Sequence, residues 1–190
     1  MFSTLCCAGQ NRHGLRINEL TKPQTPSQTI GPFFAYGLTA EQYGYAFTQV
    51  ITAKSVDKAK TVLIEGQVFD GNGVAIPDAM IELWHPEIGL LRQGTGSNPH
   101  SIFRFETSKP ATKKGQAPHF AVVIFMRGLL SHVFTRLYFG DEESANAQDE
   151  VLAQIPSELR STLVAQATQD NIYRFNIYMQ GEHETVFIDT

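Results

Sequence analysis

Apolar and polar residues alternate with period two over several stretches of this chain. That spacing puts one face of a β-strand in a core and the other in solvent. Thr61–Asp70 (TVLIEGQVFD) and Ala79–Trp84 (AMIELW) read as two strands, with Met80, Glu82 and Trp84 on one side of the second and Ala79, Ile81 and Leu83 on the other. Between them Gly71-Asn72-Gly73 supplies the positive φ that a sharp reversal needs. Ile102–Thr107 alternates as a third strand, and Phe120–Met126 and His132–Phe139 form a hairpin around Gly128. Residues 171–180 and 184–189 form a closing hairpin about Gly181. Pro86–Pro99, rich in Gly and Pro, reads as a loop, and Lys109–Gly115 as a basic loop. The stretch 150–165 has helical spacing, interrupted at Pro156. The prediction is an all-β fold: an antiparallel β-sandwich of about seven strands with an N-terminal arm and one or two short helices.

The first 22 residues show no periodicity and read as a flexible tail; residues 23–190 form the β-sandwich domain. Its opening part, 23–60, reads as an interface arm. Thr25–Pro32 (TPSQTIGP) carries two prolines and a glycine and cannot be helical. Phe33, Phe34 and Tyr36 then add apolar mass that must dock, and Thr39 is placed to start a helix over 39–43. An arm that cannot bury itself is expected to wrap a partner.

A chain of 190 residues can bury a full core, and 42% hydrophobic with 18% charged residues is globular usage. Net charge −4, with no basic block, argues against nucleic acid. No apolar run approaches the ~20 residues of a membrane span. The cysteines are the adjacent pair Cys6 and Cys7, which provide no spaced disulfide framework. Neither feature suggests a secretory signal, so a cytoplasmic location is expected.

His119, leading an apolar strand, is the first candidate for chemistry. Alone it reads as a structural histidine, because a metal needs several convergent donors. A two-histidine comb on one strand face would need a second at i+2, where Ala121 stands; His132 meets Phe134 in the same way. His85, His100 and His183 read as surface residues of loops. Tyr138, Tyr173 and Tyr178 read as packing aromatics. Arg127 closes the Phe120–Met126 strand at the rim. There its fork can meet an oxyanion, or serve only as a solvated or ion-paired cation. Arg136, inside the next strand, is expected to pair with an acid. No Gly-rich phosphate loop, serine elbow or zinc spacing is present.

Several motifs occur in one order: Thr25–Pro32, Glu65–Gly73 (EGQVFDGNG), Ile81–Trp84 (IELW), Ala117–His119 (APH), Thr135–Phe139 (TRLYF), Tyr173–Phe175 (YRF) and Gln180–Phe187 (QGEHETVF). Together they resemble the intradiol ring-cleavage dioxygenases, and within them the alpha chains of the two-chain enzymes. The resemblance runs from about Thr25 to the C-terminus. It implies a hetero-oligomer in which a homologous beta chain holds a non-haem Fe3+ through two tyrosines and two histidines, and in which O2 opens a small aromatic ring between two hydroxyl-bearing carbons. Anionic phenolates suit so hard an ion.

In this chain that ligand set is dismantled. His119 matches one histidine position and is vestigial. Ala121 replaces the other, and neither Ala111–Gly115 nor the loop between Trp84 and Phe103 holds a tyrosine. The implied role is a wall of the substrate pocket, with no catalytic residue and no metal on this chain alone. Thr29, Gly31 and Pro32 match lining positions, and Arg127 matches a cation that favours an anionic, carboxylated catechol. Two departures are the short 85–102 loop and the Phe33-Phe34 pair. The alternative is a non-catalytic, transthyretin-like sandwich that serves as a binding or structural module.

Overall fold

A computed structural model describes residues 28–31, 34–46, 61–96, 99–113, 115–169 and 171–188. The tail, Cys6, Cys7, Pro32, Phe33 and much of the 23–60 arm lie outside these residues.

Within them the fold is built from strands, as the alternation requires. β1 (Thr61–Gly66) buries every second residue, and its neighbour β5 (Phe103–Ser108) does the same, so Val62, Ile64, Phe103 and Phe105 enter the core. β6 (His119–Phe125) contributes Phe120, Val122 and Ile124, each fully buried, and β7 (Val133–Phe139) contributes Leu137 and Phe139. With Ile81 and Leu83 of β3 (Met80–His85), these residues form one apolar cluster. Burial of this kind contributes about 25 cal/mol per Å2 of apolar surface and is what holds the two layers face to face.

One layer has the order β4-β3-β6-β7, where β4 is Gly89–Gly94. The other runs β8-β9-β1-β5, where β8 is Val164–Gln169 and β9 is Ile172–Arg174. β7 and β8 join the layers through the parallel pairs Tyr138↔Val164 and Phe139↔Ala165. The free edges β4 and β5 approach each other, so the sheet nearly closes. The all-β expectation therefore holds. Most pairs are antiparallel, while β7–β8, β1–β9 and β2–β10 are parallel, where β2 is Val68–Phe69 and β10 is Ile177–Tyr178.

The Gly-rich corner forms where expected. Asp70 Oδ1 accepts the N–H groups of Asn72 (2.9 Å) and Val74 (2.8 Å), and Gly73 has φ +76°. The reversal is held by the antiparallel bridge Phe69↔Ala75, and it passes the chain from β1 in one layer, through β2 in a separate two-stranded pair, to β3 in the other layer.

Three expectations change. The 86–99 stretch is not all loop, since β4 folds back on β3 through a tight turn in which Ile88 N–H donates to the His85 carbonyl (3.1 Å) and Gly89 has φ +98°. Leu90-Leu91-Arg92-Gln93 has no apolar–polar alternation by which the strand could be read from sequence. The 150–165 stretch is not an α-helix but two short 3-10 turns, Leu152–Gln154 and Arg160–Leu163, leading into β8. Asp149 Oδ1 captures the Val151 and Leu152 N–H groups, and the Arg160 guanidinium takes the Ile155 and Ala153 carbonyls, so side chains compete with the helical ladder. The closing turn about Gly181 forms, with Thr185 N–H donating to the Tyr178 carbonyl (2.9 Å), but the strands β9 and β10 pair in parallel with β1 and β2. Residues 184–188 form no strand and reach β7, where Ile188 N–H donates to the Phe134 carbonyl (2.8 Å).

One glycine is dictated by close approach. A Cβ on Gly66 would lie 1.7 Å from the Phe175 carbonyl oxygen, so only a hydrogen fits where β1 passes the chain after β9.

Candidate functional site

The described part of the N-terminal arm lies at the end of the sandwich where β3, β4 and the β6–β7 turn meet. Thr29 Oγ1 accepts the Gly128 N–H (3.0 Å), although the two residues are 99 positions apart. The Gly31 carbonyl accepts the Phe34 N–H (3.3 Å) and starts α1 (Phe34–Leu38). A 3-10 turn, Ala40–Tyr43, follows and replaces the helix expected over 39–43. Gln42 then clamps the strand end: Gly94 N–H donates to its Oε1 (2.6 Å) and its Nε2 donates to the Gly94 carbonyl (3.2 Å). Thr39 and Ala40 are buried there, while Tyr36 packs edge-on against Tyr43 (4.6 Å) and Tyr45 (5.9 Å). The described arm thus docks on its own domain.

Side chains of an extended segment alternate, and 28–31 uses both faces. Gln28 and Ile30 line a cleft of about 180 Å3 with Phe125, Met126, Leu130 and His132. Thr29 and Gly31 are exposed, and a side chain added at Gly31 would meet nothing within 4 Å among the described residues. The cleft is smaller than the ~300–1,000 Å3 of complete ligand pockets, and Thr29, Gly31 and Arg127 do not line it. A second groove, about 340 Å3, runs along β8–β10 and shares no residue with this lip.

Arg127 stands at the rim beside the lip. Its Nε donates to Asp78 Oδ2 in an ion pair. Among the described residues its two terminal nitrogens meet no acceptor. The structure therefore brings Thr29, Gly31 and Arg127 to one rim, while Pro32 lies outside the described residues. Asp78 was not legible in the sequence: it lies 49 positions from Arg127 with no motif around it.

His119 sits on the outward face of β6. A carbonyl oxygen can only accept, so the 2.8 Å contact between Nδ1 and the Ala117 carbonyl fixes the proton on Nδ1. The imidazole packs at 5.4 Å against Tyr138, and burial lowers its pKa. Ala121, at the comb position, pairs with Arg136, which faces Tyr138 rather than the expected acid: its Nη1 donates to the Tyr138 hydroxyl (3.2 Å). Among the described residues no three His, Cys, Asp or Glu side chains converge as a metal site.

Asp149, fully buried, anchors the region. It accepts Ala117 N–H (2.9 Å), Val151 N–H (2.9 Å), Leu152 N–H (2.9 Å) and the Tyr138 hydroxyl (3.0 Å). Burial alone would raise its pKa, but the hydrogen bonds outweigh it and hold the carboxyl below its usual range. Burial pushes the Tyr138 phenol up to about 12. His85, expected on the surface, is the buried last residue of β3, packed edge-on near Phe120 (6.2 Å), and burial lowers its pKa.

No family model matches the chain. It is 45% identical over 195 aligned residues to the protocatechuate 3,4-dioxygenase alpha chain of Burkholderia cepacia, covering 89% of this chain and 98% of that one. It is 35% identical over 194 residues to the alpha chain of the same name from Pseudomonas putida, covering 88% and 96%. Among solved structures, the dioxygenase domain of a dioxygenase carbohydrate-binding protein fusion from Streptomyces sp. SirexAA-E superposes with TM-score 0.53 at 15% identity, covering 83% of this chain and 99% of that one. An intradiol ring-cleavage dioxygenase from Tetranychus urticae gives 0.51 at 14%, covering 86% and 98%. At such identities the structural likeness is one of fold.

Proposed function

This chain belongs to the family of protocatechuate 3,4-dioxygenase alpha chains, and from that premise we propose that it is the non-iron-binding subunit of a two-chain intradiol dioxygenase. The reaction adds both atoms of O2 to protocatechuate and opens the ring to 3-carboxy-cis,cis-muconate. The observation that carries the reading is the 45% identity across 98% of an alpha chain. The non-catalytic, transthyretin-like alternative is not favoured, because these relatives are dioxygenase subunits.

Intradiol dioxygenases are non-haem iron enzymes, and a ferric centre supplies the activation of the catechol toward O2. Among the described residues, those around His119 do not fit such a centre. His119 is the one donor on its strand face, Ala121 offers none, and the Arg136 guanidinium on the same face repels a second cation. The iron is therefore assigned to a homologous beta chain.

The work left to this chain is to shape and charge one wall of the substrate pocket. Thr29, tied to Gly128, fixes the lip, and Gly31 leaves its Cβ side open to an approaching ring. Arg127 presents a cation to the substrate carboxylate. An exposed lip such as that of Thr29 and Gly31 needs a partner surface to become a pocket. The assembly is expected in the cytoplasm; among the described residues no helix is long and apolar enough to cross a membrane.

The test is co-expression with the homologous beta-type chain, followed by visible spectroscopy and O2 uptake. The pair is expected to show a phenolate-to-iron absorption band and to cleave protocatechuate, and this chain alone neither. Stoichiometric iron and ring cleavage by the isolated chain would overturn the reading.

A further inference from the structure

The geometry points to Asp78 as the residue that positions Arg127 for the substrate carboxylate, and hence as a determinant of preference for carboxylated over plain catechols. The inference rests on the proposed function and adds to it a residue that no motif indicated.

An arginine at a rim is a poor recognition group unless something orders it, because its long side chain samples many rotamers. Arg127 is ordered from both ends. Its main chain is fixed one residue on, where Gly128 donates to Thr29. Its guanidinium is fixed at Nε by Asp78. The two partners are unequal: the Asp78 side chain is 17% exposed and that of Arg127 is 55% exposed. Asp78 is thus the anchor and Arg127 the presented group.

The anchor is itself held. Thr95, fully buried, donates from its hydroxyl to the Ile76 carbonyl (2.8 Å), and its Oγ1 accepts the Ala79 N–H (3.0 Å). Its own N–H donates to the Ala79 carbonyl (2.9 Å). The backbone on both sides of Pro77-Asp78 is therefore pinned to one threonine.

The choice of nitrogen matters. A guanidinium can grip a carboxylate through Nε and one Nη, or through its two Nη atoms. Asp78 occupies Nε, which leaves the Nη1/Nη2 edge for an incoming carboxylate. A negative charge beside Arg127 also weakens its long-range pull on anions. Orientation and charge thus act in opposite directions, and substitution separates them.

The experiment uses the assembled two-chain enzyme carrying Asp78→Ala, Asp78→Asn or Arg127→Ala. Steady-state KM and kcat are measured on protocatechuate and on catechol, with calorimetric binding of 4-hydroxybenzoate and of phenol as non-cleaved probes. Freeing one ordered side chain corresponds to about a fivefold loss. Asp78→Ala is expected to raise KM for protocatechuate and the dissociation constant for 4-hydroxybenzoate by about that factor, with a smaller change for catechol and phenol. Asp78→Asn retains an oxygen that accepts from Nε and is expected to stay within about twofold of wild type.

If both Asp78 variants bind the carboxylated ligands more tightly, Asp78 only neutralises Arg127 and the inference falls. If kcat and KM worsen equally on both substrates, its role is structural and the inference falls. If Arg127→Ala discriminates between the substrates and Asp78→Ala does not, the inference fails while the proposed function stands. If Arg127→Ala does not discriminate, the reading of Arg127 fails and takes the inference with it.

Discussion

Replacing Asp149 tests how the buried polar network supports the fold. Its carboxylate gathers four donors from three parts of the chain: Ala117 ahead of β6, Tyr138 on β7, and Val151 and Leu152 at the first 3-10 turn. Asp149→Ala leaves the Ala117 and Leu152 N–H groups and the Tyr138 hydroxyl buried without this acceptor. Each orphaned donor costs about 1–3 kcal/mol, and partial relaxation brings the total to about 4 kcal/mol. For a domain of this size that corresponds to a fall of about 12 °C in unfolding temperature. Asp149→Asn can keep three bonds at the Oδ1 position but turns its NH2 toward the Ala117 N–H, so about half the loss is expected.

The pH dependence follows from the lowered folded pKa of Asp149. Its contribution is fully present above the ordinary aspartate value and is lost as pH falls below about 4 through the folded value. The gap between wild type and Asp149→Asn should therefore narrow there. The assay is thermal unfolding of the co-expressed complex, with hydrogen exchange at the Ala117 and Leu152 amides as the local probe. A shift under about 2 °C for Asp149→Ala, or equal losses for Ala and Asn, would refute the reasoning.

Gly66→Ala should destabilise by at least about 3 kcal/mol, because its methyl carbon would overlap the Phe175 carbonyl, a backbone atom that cannot swing away; loss of soluble complex or a depressed unfolding temperature checks this. Burial lowers the pKa values of His85 and His119, so below about pH 6.5 the unfolded chain takes up protons before the folded one and stability declines. His119→Gln should make the slope of stability against pH shallower between about pH 6.5 and 5, measured by denaturant unfolding.

Much of the fold was legible because burial and alternation are the same fact seen twice. Val62, Ile64, Phe103, Phe105, Phe120, Val122 and Ile124 alternate in sequence and enter one core in space. Prediction failed where local chemistry overrode periodicity. The apolar spacing of 150–165 pointed to a helix, but Asp149 and Arg160 took the backbone groups an α-helix would have used, and Leu152 and Leu163 are buried while Leu159 is exposed. β4 was missed because its apolar pair Leu90-Leu91 and polar pair Arg92-Gln93 do not alternate, and its burial does not either.

The rim divides in the same way. Motifs carried Thr29, Gly31 and Arg127, and the structure brings them to one rim. Asp78 had no signal, because its significance is a contact across 49 positions.

Local order alone determined the strand faces, the turn at Asp70–Gly73 and the alanine at the position two residues beyond His119, since each depends on residues close together in the chain. Tertiary structure alone decided which strands run parallel, where the arm docks and which acid holds Arg127. Those outcomes depend on which surfaces meet once the layers close, and a short window of sequence carries no record of that meeting.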